Sequence, residues 1–92
     1  MLNKKEKLMK ILESELEKYK SMSFNEAEKL VGNEPVIIEN KNTNNEGFWQ
    51  IEIEFFYEDD TKNNIIIIGT IDDGGLRSMF LPYSKSYTIT RK

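Results

Sequence analysis

Ile65-Ile66-Ile67-Ile68-Gly69-Thr70-Ile71-Asp72-Asp73-Gly74-Gly75 is the most apolar and most β-branched run in the chain, and it stops at a turn signal. β-Branched side chains fit a pleated, half-buried surface. A short apolar run closed by Asp-Gly reads as a central strand entering a tight hairpin. A type I′ turn at Asp73-Gly74 sets Ile71 opposite Leu76 and Ile67 opposite Phe80, which keeps large apolar partners together.

The alternation that precedes this run supplies its neighbour. From Phe48 to Tyr57, the residues Trp49, Ile51, Ile53, Phe55 and Tyr57 face one way, and Phe48, Gln50, Glu52, Glu54 and Phe56 face the other. That pattern predicts a strand with one buried face. Tyr83 to Thr90 alternates again and reads as a last, edge-like strand. Pro35 opens an extended segment, Val36-Ile37-Ile38-Glu39, and the polar residues from Asn40 to Gly47 form a connection.

Two helices come first. Leu8, Leu12, Leu16 and Tyr19 recur at helical spacing with Ile11 beside them, giving one apolar stripe. The lysines Lys4, Lys5, Lys7 and Lys10 at the start of this helix oppose its dipole and read as a solvated face. Ser23-Phe24-Asn25-Glu26 is a capping box, and Gly32 stands where a left-handed residue ends a helix. The expected architecture is α+β, with two N-terminal helices packed on one face of a four- to five-stranded antiparallel β-meander. The helices span about 3–21 and 24–31, and the strands about 36–39, 48–57, 65–71, 76–81 and 83–90, within a single domain 1–92.

Composition narrows the function. A chain of 92 residues removes only roughly 60–65% of its unfolded surface from water, which leaves little room for a deep catalytic cavity. The chain has no cysteine and no histidine, so disulfides, thiolate metal sites and the commonest general base are excluded. No run approaches the roughly 20 apolar residues of a membrane span, and no apolar stretch follows the basic N-terminus as in a signal peptide. The expectation is a soluble, cytoplasmic protein that needs no cofactor. The net charge of −3 conceals an asymmetry: residues 1–30 sum to +1, residues 31–75 to −8 and residues 76–92 to +4.

Two acidic clusters, Glu58-Asp59-Asp60 and Asp72-Asp73, suggest Mg²⁺ or Ca²⁺, but they sit at opposite ends of the central strand. At ~3.3 Å per residue they lie ~20 Å apart, and Asp and Gly are what turns require. Tyr83, Lys85, Tyr87, Arg91 and Lys92 on the last strand and tail resemble the placement of basic and tyrosine residues in small ribonuclease toxins. A groove for phosphates must be strongly basic, however, and the middle of this sheet is acidic. Stacking of single-stranded bases needs aromatics set among positive charges, whereas Phe48 and Phe56 lie beside Glu52 and Glu54.

Ile71-Asp72-Asp73-Gly74-Gly75-Leu76-Arg77, followed by Phe80, Leu81-Pro82 and Ser86-Tyr87-Thr88-Ile89, resembles a recurrent ending of small uncharacterised bacterial proteins. That resemblance covers the last quarter of the chain and implies a compact α+β domain with no transferable catalytic residue. The face away from the helices carries Phe56, Ile66, Ile68, Met79 and Leu81, rimmed by Glu52, Glu54, Thr70 and Arg77. This is more apolar than a solvated sheet face. The sequence therefore points to a non-enzymatic binding protein, of inhibitor or immunity type, that meets a basic protein partner through Glu52, Glu54, Phe56, Ile68, Arg77, Met79 and Leu81. The alternatives are an accessory subunit that forms a homodimer through the same patch and, behind it, a small RNA-cleaving or metal-dependent enzyme. Neither a nucleic acid nor a membrane is an expected partner.

Overall fold

The computed structural model describes residues 3–40, 48–73 and 83–91. Over these the chain is α+β, in the order α1 (Lys4–Lys20), α2 (Phe24–Glu28), β1 (Val36–Glu39), β2 (Gln50–Tyr57), β3 (Asn64–Asp72) and β4 (Tyr83–Thr90). The four strands form one antiparallel sheet ordered β1-β2-β3-β4.

The helical stripe and the strand alternation meet in one core. Leu8, Leu12 and Leu16 of α1 are buried against Ile51, Ile53 and Phe55 of β2 and Ile65, Ile67 and Ile71 of β3. Burying each such side chain is worth about 1.5–3 kcal/mol, which is what holds a helix that carries so much charge. Tyr19 extends the stripe and meets Phe55 edge to face, with ring centroids 5.9 Å apart. Asn3 caps α1 by accepting from the Glu6 N–H at 2.8 Å.

Two packed helices were expected to share this cover. Instead one long helix does most of it, and α2 has only five residues. Its capping box is formed: the Ser23 hydroxyl accepts from the Glu26 N–H, and the Glu26 carboxylate accepts from the Ser23 N–H. The Ser23 backbone bond also holds the Glu26 carboxyl below the usual carboxylate range. The helix ends at Glu28 rather than at Val31. Tight turns follow, with Leu30 N–H bonded to Ala27 C=O and Val31 N–H to Glu28 C=O. Gly32 takes φ +83° beyond them. Ala27 is the fully buried residue of α2.

The expected Asp73-Gly74 hairpin register is overturned. β3 pairs with β4, setting Ile71 against Tyr83, Ile67 against Tyr87 and Ile65 against Ile89. Its other edge is taken by β2. Both edges of β3 are taken by described strands, and the expected strand 76–81 lies outside the described residues. Matching apolar partners favoured the short hairpin but left out length. Tyr83–Thr90 gives an unbroken ladder from Asn64 to Ile71, and its inward residues bond the helix. Lys5 lies over the Tyr83 ring, Lys20 over the Tyr87 ring at 4.4 Å, and Lys85 pairs with Glu13 at 3.3 Å. Lys4 pairs with Asp73. Lys4, Lys5, Lys7 and Lys10 are all exposed as expected, and within that exposed cluster Lys4 and Lys5 tether the start of α1 to the sheet while Lys20 tethers its end.

Gly69, in the middle of β3, lies directly beneath Leu12 and Leu16 of the helix. A Cβ there would stand 2.9 Å from Leu16 Cδ2 and 3.0 Å from Leu12 Cδ1. Both leucines are fully buried, so their terminal methyls would have to shift within the core. Removing a glycine from the unfolded chain returns roughly 0.4–1 kcal/mol, less than overpacking costs here. Gly69→Ala is expected to lower unfolding free energy by about 1 kcal/mol and Gly69→Val by about 3 kcal/mol, read from urea unfolding. An unchanged midpoint for Gly69→Val would contradict this packing.

Candidate functional site

Because α1 lies on one face of the sheet, the other face is open to whatever the described helices do not reach. Antiparallel partners share a face, so the ladders place its residues in rows. Ile37, Glu52, Thr70 and Ser84 form one row; Glu54, Ile68 and Ser86 the next; Phe56, Ile66 and Thr88 a third. Glu39, Gln50 and Asp72 close the end nearest Asp73.

The centre of this face is apolar. Phe56 and Ile66 are direct cross-strand partners, and Ile68 lies diagonally from Phe56, close enough for an aromatic ring to touch. Phe56 remains 43% exposed, while Ile66 and Ile68 are half-buried. Around them stand Glu39, Glu52 and Glu54, with Asp72 at the strand end. Among the described residues of this face there is no basic side chain, and Glu52 and Glu54 make no ion pair with a described residue. Ser84, Ser86, Thr88 and Thr90 give the β4 side a border of exposed hydroxyls.

Of the residues singled out from the sequence, the ladder brings Glu52, Glu54, Phe56 and Ile68 together. Arg77, Met79 and Leu81 lie outside the described residues. Ile37 was missed, although it belongs to the face and is 45% exposed. Its signal was the alternation in Val36-Ile37-Ile38-Glu39, which is too short to give a direction without the pairing to β2.

No family model, curated protein or solved structure matches this chain. The open face is therefore interpreted from its own chemistry.

The enzyme-like residues are engaged elsewhere. Asp59 accepts from the Thr61 N–H at 3.0 Å and from the Thr61 hydroxyl, shaping the turn in which Lys62 takes φ +59°. Among the described residues no three acidic side chains gather as a metal site would require. Tyr83, Lys85 and Tyr87 point under α1 rather than into a groove.

A second cluster lies at the far end of the sheet. A cleft of about 470 Å³ runs between α2 and the end of β4, lined by residues that include Met22, Phe24, Ile89 and Arg91. Arg91 is already committed. Its guanidinium stacks on the Phe24 ring at 4.2 Å, and one nitrogen donates to Glu28 and to the Lys62 C=O, each at 3.2 Å. Glu28 also accepts from the Tyr57 hydroxyl at 2.7 Å. The cluster ties α2 to the sheet rather than offering a cation to an anionic ligand.

That hydrogen bond to Glu28 raises the Tyr57 phenol above its ordinary value, with burial and the Glu28 charge adding to the effect. A phenol that holds its proton more tightly when folded stabilises the fold fully below the ordinary value of about pH 10. The contribution fades as pH rises through the higher folded value. Tyrosinate absorbance, compared between the wild type and Tyr57→Phe, is expected to show Tyr57 titrating late. Glu28→Gln is expected to bring it back toward the ordinary phenol range; a Tyr57 titration unmoved by that change would rule out Glu28 as the cause.

Proposed function

We propose that this chain is a non-enzymatic protein-binding domain of the inhibitor or immunity type. It covers a basic surface of its partner with the open face of the sheet. The observation that carries the reading is the division of labour between the faces: α1 buries one, and the other combines Phe56, Ile66 and Ile68 with Glu39, Glu52 and Glu54. An apolar centre with a polar rim is the usual anatomy of a protein interface. Aromatic anchors near the centre carry most of the binding energy. Rim carboxylates of one sign steer a positive partner and raise the association rate more than the final affinity.

The resemblance carried by residues 71–89 suggests a bacterial setting, and no described helix is long and apolar enough to cross a membrane. The fold detail that suits this role is that the described helices cover one face of the four-stranded meander. A second copy docked face to face would also cover Phe56, but it would set the carboxylates of one copy against those of the other. Like charges in apposition oppose such a pair.

Glu52→Lys combined with Glu54→Lys is expected to slow association with the partner by about tenfold or more at low salt, leaving the circular dichroism spectrum unchanged. Phe56→Ser is expected to act instead on dissociation. Stopped-flow mixing and surface plasmon resonance measure the two effects. Association that is indifferent to both variants would eliminate the open face as the docking surface.

A further inference from the structure

The two edges of the sheet are unlike. β1 is four residues long, follows Pro35, and by the alternation of its ladder turns only Ile37 and Glu39 outward. The Asn40 N–H bond to Trp49 C=O fixes that alternation. Short length, a proline and a charge are the devices by which natural edges avoid pairing. Pro82 precedes β4 in the sequence as Pro35 precedes β1, but β4 is eight residues long and its outward set carries neither a proline nor a charge. The Arg91 N–H donates to Asn63 C=O at 2.7 Å, and Arg91 continues the register of β4 against β3. Alternation along an antiparallel ladder then turns Lys85, Tyr87 and Ile89 toward β3 and leaves the N–H and C=O groups of Ser84, Ser86, Thr88 and Thr90 pointing away from it. No described strand pairs with that edge, and these four side chains are small, neutral and exposed.

We infer that β4 pairs with β4 of a second copy of this chain, antiparallel and two-fold symmetric about Tyr87, joining the two sheets into one. In this register Ser84 faces Thr90 of the other copy and Ser86 faces Thr88, so every outward N–H and C=O of both strands is used. A centre at Ser86 would leave Thr90 without a described counterpart. Side chains keep to their faces, because the two-fold sets even positions against even and odd against odd. The hydroxyl pairs Ser84–Thr90 and Ser86–Thr88 are of a kind that stabilises neighbouring strands. Tyr87 meets its own copy at a position where strands lie closest. Charge also fits a second copy. Lys85 comes opposite Ile89 rather than opposite Lys85, and it already has Glu13 as its ion-pair partner. Both helices lie on one side of the joined sheet, and both open faces lie on the other.

Sedimentation equilibrium of the chain alone, over a wide range of concentration, tests this without any other partner. The wild type is expected to dimerise. Ser86→Lys with Thr88→Lys places like charges directly opposite across the two-fold and is expected to weaken the dimer at least about tenfold. Ser86→Lys with Thr88→Glu places opposite charges there and is expected to restore it. Ser86→Pro removes an outward N–H without touching the ladder to β3, and is expected to give a monomer with an unchanged circular dichroism spectrum. Phe56→Ser is expected to leave the dimer intact, which separates edge pairing from association through the open face. A wild type that stays monomeric at every concentration overturns the inference. So does a dimer that the charge-reversed pair fails to restore, or one that Phe56→Ser dissolves.

Discussion

The contact on which this molecule depends is the approach of Leu12 and Leu16 to Gly69. A glycine in the interior of a strand weakens it, having no side chain to pack and more backbone entropy to lose. Here the missing side chain is space for the helix. The leucines enter over β3, the central pair of strands buries Ile51, Ile53, Ile65 and Ile67 around them, and both leucines are completely removed from water. A small domain has little surplus stability. One close helix-to-sheet contact in its middle therefore fixes which face is covered and consequently which face is left over.

Electrostatics supports the same placement from the rim. Lys4 to Asp73 and Lys5 over Tyr83 hold the start of α1. Lys85 to Glu13 holds its middle, and Lys20 over Tyr87 its end. Each such exposed contact is worth only about 0.5–1 kcal/mol, so none creates the fold. Together they hold the helix at both ends and along its middle. Lys85 is used by this clamp and Arg91 by the Arg91–Glu28–Tyr57 cluster. The acids of β1 and β2 are left to define the character of the open face.

The sequence was most readable where a period repeats. The stripe Leu8, Leu12, Leu16 and the alternation from Trp49 to Tyr57 identified residues that now lie in one core. From those two patterns the composition of the opposite face followed, Glu52, Glu54, Phe56 and Ile68 included. Pairing was less readable. The choice of Leu76 as partner for Ile71 rested on the likeness of two side chains across a short turn. The ladder is decided by the summed length of pairing and by what the next layer requires of each inward residue. Lys85 opposite Gly69 looks like a poor pair in two dimensions; it becomes a good one once α1 brings Glu13 over it. The same dependence on the third dimension explains the lysines at the start of α1, whose partners Asp73 and Tyr83 are distant in sequence and invisible to any local pattern. It also explains Ile37, whose face is assigned only by its ladder to Glu52.

Isoleucines on a sheet face that the described helices do not cover invite indiscriminate pairing of faces, and the carboxylates around them oppose it. Glu39, Glu52 and Glu54 repel a second copy placed on them, and they attract a surface of opposite sign. Like charges around the apolar centre thus oppose face-to-face pairing of two copies. Among the described residues no such guard stands along β4, where Ser84, Ser86, Thr88 and Thr90 offer backbone groups beside neutral hydroxyls. Repulsion at the face and permissiveness at the edge are complementary. Copies that cannot stack face to face can still join side by side, which leaves each acidic face uncovered and sets two of them in one plane.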